Sequence, residues 1–214
     1  QPVQTLPPCP FVRHHSAHCI SGEQNRNDKV STLNADDDEE RGLALGAVYR
    51  LDAPARHPSA VLDGFIVPNG MAFSPDGRTL YLSDSHPQVQ TVWAYDYDLE
   101  TATPSGRRVF IDFKPLPGRP DGAAVDAQGC YWICGNDAGL VHRFTPDGRL
   151  DRSLAVPVKK PAMCAFGGPG LDTLFVTSIR PQGVDLSDQP LAGGVFALTP
   201  GVRGLPEPVF TPQP

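Results

Sequence analysis

A repeating strand–turn–strand unit constrains this chain more than any other feature. Gly70 to Phe73 leads through Ser74-Pro75-Asp76-Gly77 into Thr79 to Ser83. The same order returns from Gly122 to Val125, through Asp126-Ala127-Gln128-Gly129, into Cys130 to Cys134. It returns again from Ala162 to Phe166, through Gly167-Gly168-Pro169-Gly170, into Thr173 to Thr177. Pro presets φ at the second turn position, Asp tolerates the third and Gly closes the turn. Further strand-like runs complete each unit. These are Thr91 to Tyr97 and Arg107 to Phe113, then Leu140 to Phe144 and Leu150 to Val156 around Thr145-Pro146-Asp147-Gly148, then Gly194 to Leu198 after an Asp- and Gly-rich insertion. In Thr91 to Tyr97, Val92, Ala94 and Asp96 share one face and Trp93, Tyr95 and Tyr97 the other. The units start near Asn69, Asp121 and Ala162, 52 and 41 residues apart. Four strands at a period of about 40 to 50 residues predict the blades of a β-propeller. A four-stranded sheet cannot bury both faces alone, whereas sheets stacked around an axis bury them against their neighbours. A β-sandwich is the alternative that the same strands and turns allow.

Composition supports an all-β chain. The 214 residues include 24 prolines and 21 glycines, and the proline content is about twice the usual share. Many turns in a chain that is 40% hydrophobic and 20% charged mean many short strands around a real core. The net charge of −6 argues against a nucleic-acid partner, whose binding is driven by Lys and Arg. It permits a cation site built from carboxylates. No apolar run approaches the ~18 residues of a membrane span, and no signal-peptide pattern opens the sequence, so neither a membrane nor an export route is expected. Five cysteines cannot all pair. Cys130, Cys134 and Cys164 fall in or beside strand-like runs and are expected to be free buried thiols, which fits a reducing, cytoplasmic location.

Residues 1–44 differ from the rest. They contain Pro7, Pro8 and Pro10, the histidines His14, His15 and His18 next to Cys19, and an acidic run from Asp36 to Glu40. No zinc-type ligand spacing joins the histidines to Cys19, and a like-charge run reads as a solvated loop. The segment 1–44 is therefore expected to be irregular, with an incomplete propeller of about four blades over 45–214.

Pro68-Asn69-Gly70-Met71-Ala72-Phe73-Ser74-Pro75-Asp76-Gly77-Arg78-Thr79-Leu80-Tyr81-Leu82-Ser83-Asp84-Ser85 closely resembles a signature of the sugar-lactone hydrolase family that includes gluconolactonase and regucalcin, the senescence marker protein/gluconolactonase/luciferin-regenerating-enzyme-like family. The likeness continues through Ala94-Tyr95-Asp96-Tyr97-Asp98, Arg119-Pro120-Asp121-Gly122, Phe166-Gly167-Gly168 and Leu174-Phe175-Val176-Thr177-Ser178. The resemblance implies later blades of a six-bladed propeller with one divalent metal ion (Ca, Zn, Mn or Mg) in the central channel. It implies metal ligation by Asn69 and Asp121, and a proton-transfer role for Asp121. It implies a small-molecule sugar lactone as substrate. The Asn25-Arg26-Asn27-Asp28-Lys29-Val30 run resembles a gapped form of a family segment whose Arg and Asn contact substrate hydroxyls, which places those roles on Arg26 and Asn27. Guanidinium and amide groups are suitable donors to a polyhydroxy ring; a polar surface loop is the alternative.

The residues themselves agree with this placement. Asn69 and Asp121 occupy equivalent points just ahead of the first strand of successive units. In a propeller the innermost strands line the axis, so these points converge. Amide and carboxylate oxygens suit a hard cation. Asn-Gly and Asp-Gly are also ordinary turn formers.

The chain departs from the family pattern in three places. No residue in 1–24 matches the family's N-terminal metal-binding Glu, and Glu23 lacks its context. A strand is missing between Lys29-Val30 and the acidic run. Ala162-Met163 stands where hydroxyl side chains are common. The alternative to a metal-dependent hydrolase is therefore a non-enzymatic remnant that binds calcium or a protein partner. An incomplete ring also exposes sheet edges and faces, which predicts self-association. Ser83, Ser85 and His86 lie close in sequence, but no nucleophile elbow surrounds either serine. Trp93 and Trp132 are expected to pack between blades. Arg180 and Asp185 belong to a loop after Thr177 that reads as ordinary surface.

Overall fold

The computed structural model describes residues 4–5, 18–21, 27–32, 44, 46–52 and 58–207, with side chains from residue 44 onward except 51–52. The regular elements among the described residues are all strands. They are β1 (Gln4–Thr5), β2 (His18–Ser21), β3 (Asn27–Thr32), β4 (Gly46–Asp52), β5 (Pro58–Phe65), β6 (Pro68–Phe73), β7 (Thr79–Asp84) and β8 (Thr91–Asp98). Then follow β9 (Thr103–Asp112), β10 (Arg119–Val125), β11 (Tyr131–Asn136), β12 (Leu140–Phe144), β13 (Leu150–Ala155), β14 (Pro161–Gly167), β15 (Thr173–Ser178) and β16 (Val195–Leu198). They form four antiparallel four-stranded sheets, ordered β2-β3-β4-β5, β6-β7-β8-β9, β10-β11-β12-β13 and β1-β16-β15-β14. These are the four blades that the repeat predicts.

Three strands lie within 1–44, the stretch expected to be irregular. β3 pairs with β4 from Asn27↔Asp52 to Thr32↔Ala47, and β2 pairs with β3. β1 pairs with β16 through Gln4↔Ala197 and Thr5↔Phe196, so residues near one end of the chain complete a sheet built from the other. β2 and β3 are short and largely polar, and β1 is two residues paired with a distant strand, so no apolar alternation marks them and this stretch reads as irregular. His14, His15 and the acidic run lie outside the described residues.

Four sheets enclose three cores. Val48 and Phe65 of the first sheet meet Met71, Leu80, Leu82, Trp93, Tyr95 and Tyr97 of the second. Ala72, Tyr81, Val92 and Ala94 of the second meet Tyr131, Ile133 and Phe144 of the third. Trp132, Cys134 and Val141 of the third meet Cys164, Leu174, Val176 and Phe196 of the fourth. Alternate residues of β8 and β11 thus enter different cores, as a sheet buried on both faces requires. Cys130, Cys134 and Cys164 are buried free thiols. Trp93 packs edge-on to Phe65, and fully buried Trp132 donates to the Asp126 carboxylate at 2.9 Å.

One turn is used repeatedly. The Gly77, Gly129 and Gly148 amides donate to Ser74, Asp126 and Thr145 carbonyls at 2.8, 2.9 and 2.8 Å. All three glycines have φ between 69° and 80°, a region that side chains disfavour. Ser74 and Thr145 hydroxyls bond Asp76 and Asp147 at 2.6 and 2.5 Å. The Pro-Asp-Gly pattern is therefore literal turn chemistry.

Candidate functional site

β10 lies between β6 and β14. Each of these first strands departs from regular pairing at the same point, between Asn69 and Ala72, Pro120 and Ala123, and Pro161 and Met163. Such a bulge re-aims a side chain. It falls on the residues singled out by the repeat: Asn69, Asp121 and Ala162.

The glycines that follow serve close packing. A Cβ on Gly122 would lie 2.6 Å from the Ala162 carbonyl oxygen and 2.7 Å from Met163 Cα. A Cβ on Gly70 would lie 2.6 Å from the Tyr131 hydroxyl and 3.0 Å from the Asp121 carbonyl oxygen. Neighbouring inner strands approach within this distance only where a side chain is missing. Asn-Gly and Asp-Gly are thus strand residues here, and the tight-turn reading gives way. The Tyr131 hydroxyl donates to the Gly70 carbonyl at 2.5 Å, and Ser85 donates to the Pro120 carbonyl at 2.5 Å. Both bonds tie the second sheet to the third beside the site.

This packing brings Asn69 and Asp121 together. Asn69 Nδ2 donates to Asp121 Oδ1 at 2.7 Å. Asn136 Nδ2 donates to Asp121 Oδ2 at 2.7 Å. Asn136 was not singled out in the sequence, yet β10–β11 pairing sets it opposite Arg119, two residues before Asp121. Counting outward from the Asp126–Gly129 turn would have located it. Burial pushes the Asp121 carboxyl up to about 6. The two amide bonds and the Arg119 charge pull the other way without cancelling it. A carboxyl poised there gives up and takes back a proton near neutral pH.

Asn69 and Asp121 fit a hard cation by donor type, since both carry oxygen; here Asn69 Oδ1 accepts from the Gly70 amide at 3.1 Å and its Nδ2 faces Asp121. The buried Asn136 Oδ1 is without a hydrogen-bond partner, a third oxygen of the same kind. Among the described residues no group of three His, Cys, Asp or Glu side chains could hold a metal ion. Of the expected substrate contacts, Arg26 lies outside the described residues, and Asn27 begins β3 with only its backbone described. Glu23 is likewise outside.

The serines do not form a triad. His86 Nδ1 accepts from the Gln88 amide at 3.3 Å, while Ser85 is spent on the Pro120 carbonyl. Asp84 accepts from the Ile66, Val67 and His86 amides at 2.7, 3.1 and 2.9 Å. It anchors the chain where it enters β6. Arg180 donates to the Ala192 carbonyl at 3.1 Å, and Asp185 accepts from the Ser187 amide at 2.9 Å, as in an ordinary loop.

Comparison with known proteins agrees with this architecture. The SMP-30/Gluconolactonase/LRE-like region matches residues 26–180. A 6-deoxy-6-sulfogluconolactonase of Pseudomonas putida is 41% identical over 169 residues, 77% of this chain and 56% of that protein. A pentonolactonase of Haloferax volcanii is 35% identical over 170 residues, 77% of this chain and 57% of that protein. The crystal structure of a calcium-binding protein, regucalcin, from Agrobacterium tumefaciens superimposes with a TM-score of 0.77 at 28% identity, covering 90% of this chain and 64% of that one. The chain spans little more than half the length of the curated relatives it matches. The chain belongs to the SMP-30/gluconolactonase/LRE-like family.

Proposed function

We propose that the chain opens sugar lactones by hydrolysis, with Asp121 as the proton acceptor and donor and a divalent cation held by Asn69 and Asp121. The observation that carries this reading is the convergence of Asn69 and Asp121, 52 residues apart, through a 2.7 Å bond, on a carboxyl raised to about 6. The lactonase names of the relatives support the substrate class.

The chemistry asks for a base and then an acid at one place. Ionised Asp121 draws a proton from a water whose oxygen attacks the lactone carbonyl carbon. The protonated Asp121 then returns that proton to the ring oxygen as its bond to the carbonyl carbon breaks, leaving a hydroxy acid that ionises in solvent. The Asn69 and Asn136 amides hold the Asp121 carboxylate in one orientation throughout. Asn69 and Asp121 would hold a divalent cation, which would supply Lewis-acid polarisation of the lactone carbonyl. Arg26 and Asn27 are the proposed donors to the ring hydroxyls.

The test is lactone opening followed by acid release, on chain stripped with a chelator and then resupplied with Ca, Zn, Mn or Mg. Turnover that disappears with the cation and returns with it is expected; turnover indifferent to the chelator would overturn the cation assignment. A second reading, binding without turnover, rests on Asp121 being the one ionisable side chain of the candidate ligand set among the described residues. It predicts cation binding with no acid release.

A further inference from the structure

The repeat places two cations on one carboxylate near Asp121. Val67-Pro68-Asn69, Arg119-Pro120-Asp121 and Lys160-Pro161-Ala162 are equivalent segments of three successive sheets. Two residues before each inner-strand site position stand Val67, Arg119 and Lys160. Arg119 Nε donates to Asp137 Oδ2 at 2.9 Å, and Lys160 Nζ pairs with Asp137 Oδ1. One carboxylate therefore bridges two cations from neighbouring sheets.

We propose that Arg119 and Lys160 form an oxyanion-binding subsite beside Asp121, which selects sugar lactones carrying a terminal anionic group. The proposal rests on the lactone-opening reading of the same site. Three observations support a ligand over a plain clamp between sheets. First, one carboxylate, Asp137, bonds both cations. A clamp is complete with a single cation. Second, the Arg119 guanidinium uses only Nε on Asp137, and among the described residues its two terminal nitrogens have no partner. These are the atoms that grip an oxyanion in a fork. Third, the pair is only partly covered, with Arg119 and Lys160 side chains 32% and 28% exposed. They are open to solute yet shielded enough to bind an anion more strongly than a freely solvated pair does.

Asp137 keeps the two cations in place. Burial raises its carboxyl, but the Lys160 and Arg119 bonds outweigh this and hold it below its ordinary value, so it stays ionised. Its backbone has φ of 76°, an uncommon conformation for a residue with a side chain. Arg119 lies two residues from Asp121, about 7 Å along extended chain, and its charge reaches the Asp121 carboxyl. A six-carbon lactone with its carbonyl at Asp121 would turn its far carbon toward the cations. The ligand chemistry is a terminal sulfonate, phosphate or carboxylate.

The test compares kcat/KM of the full chain, supplied with cation, on a neutral six-carbon lactone and on lactones bearing each of these three groups at the terminal carbon. Wild type is expected to favour at least one anionic lactone. Arg119→Gln and Lys160→Gln should each lower the anionic-to-neutral ratio by about ten- to a hundredfold, mainly through KM. Arg119→Lys should keep part of it. Taking the ratio cancels any effect of Arg119 on Asp121 or on the fold. Equal losses on both substrates, or no preference in wild type, would overturn the subsite. If wild type opens no lactone at all, the hydrolase reading fails by itself, and calorimetry with a sulfonated six-carbon sugar acid reads the subsite directly. Binding weakened by either substitution to Gln then supports it; no binding, or binding indifferent to both, overturns it.

Discussion

Asp121 is held in a compromise that shapes both stability and chemistry. Its folded pKa of about 6 lies above the ~3.9 of an unfolded Asp. The native chain therefore binds more protons than the unfolded one between about pH 4 and 6. This group's contribution to stability is largest below that window and is lost as pH rises through it. At about 1.4 kcal/mol per pKa unit, its ionised form weakens the fold at pH 7 by up to about 3 kcal/mol. Asp121→Asn should accordingly unfold at higher urea than wild type at pH 7, by about 1 to 3 kcal/mol. The gap should close toward pH 4, and turnover should drop by about 10² to 10⁴. The buried Asn136 Oδ1 has no partner, so a turn of that amide accommodates the new NH₂. His142 acts in the opposite sense. It is buried between Ser153 and the Pro117 carbonyl, and burial lowers its pKa. Its share is lost as pH falls through the unfolded value of about 6.5, and it cancels when the variant is compared with wild type. Asn136→Ala removes a bond that holds the Asp121 pKa down, so the acid limb of its kcat/KM profile should move to higher pH. At this scale the repeat exposed Asn69 and Asp121 because equivalent positions converge. Asn136 stayed hidden because nothing about an Asn at a strand end marks it until the strand register is known.

Strand legibility followed alternation and turn chemistry. β7, β8, β11, β12 and β15 are legible within two residues of their ends: the first four send alternate residues into different cores, β15 buries Leu174 and Val176 in one, and positive-φ glycines stand just before β7, β11 and β12. β5 was missed. Pro58 opens it, and its outward residues are exposed, because an edge strand needs neither a donor at every position nor an apolar outer face. Inner strands carry the tightest constraint. Gly122→Ala would push a Cβ against backbone of β14, where little can yield. It should destabilise the chain by about 1 to 3 kcal/mol in a urea titration and reduce turnover by parting β10 from β14. The third sheet also depends on a buried ion pair. Asp126, fully buried, accepts from Arg143 at 2.7 Å, from Trp132 Nε1 and from the Gln128 and Cys130 amides. Asp126→Ala strands these donors and should cost about 3 to 5 kcal/mol, read by the same titration.

Four sheets and three cores leave the first and last sheets each with one face that no other sheet covers among the described residues. We therefore expect the chain to associate at micromolar concentrations, with a sedimentation coefficient that rises on concentration. A monomer with a sharp, reversible melt at high temperature would contradict that. The blade count was legible because the turn chemistry repeats, whereas the joining of β1 to β16 was not, because nothing local announces a pairing between opposite ends of a chain. The convergence of Asn69 and Asp121 on one cation is tested most directly by calorimetric titration with Ca, Zn, Mn and Mg. Saturable binding of at least one of them is predicted, weakened about tenfold or more in both Asn69→Ala and Asp121→Ala but not in Asp185→Ala. Binding by none of the four, or binding that ignores both substitutions, would contradict it.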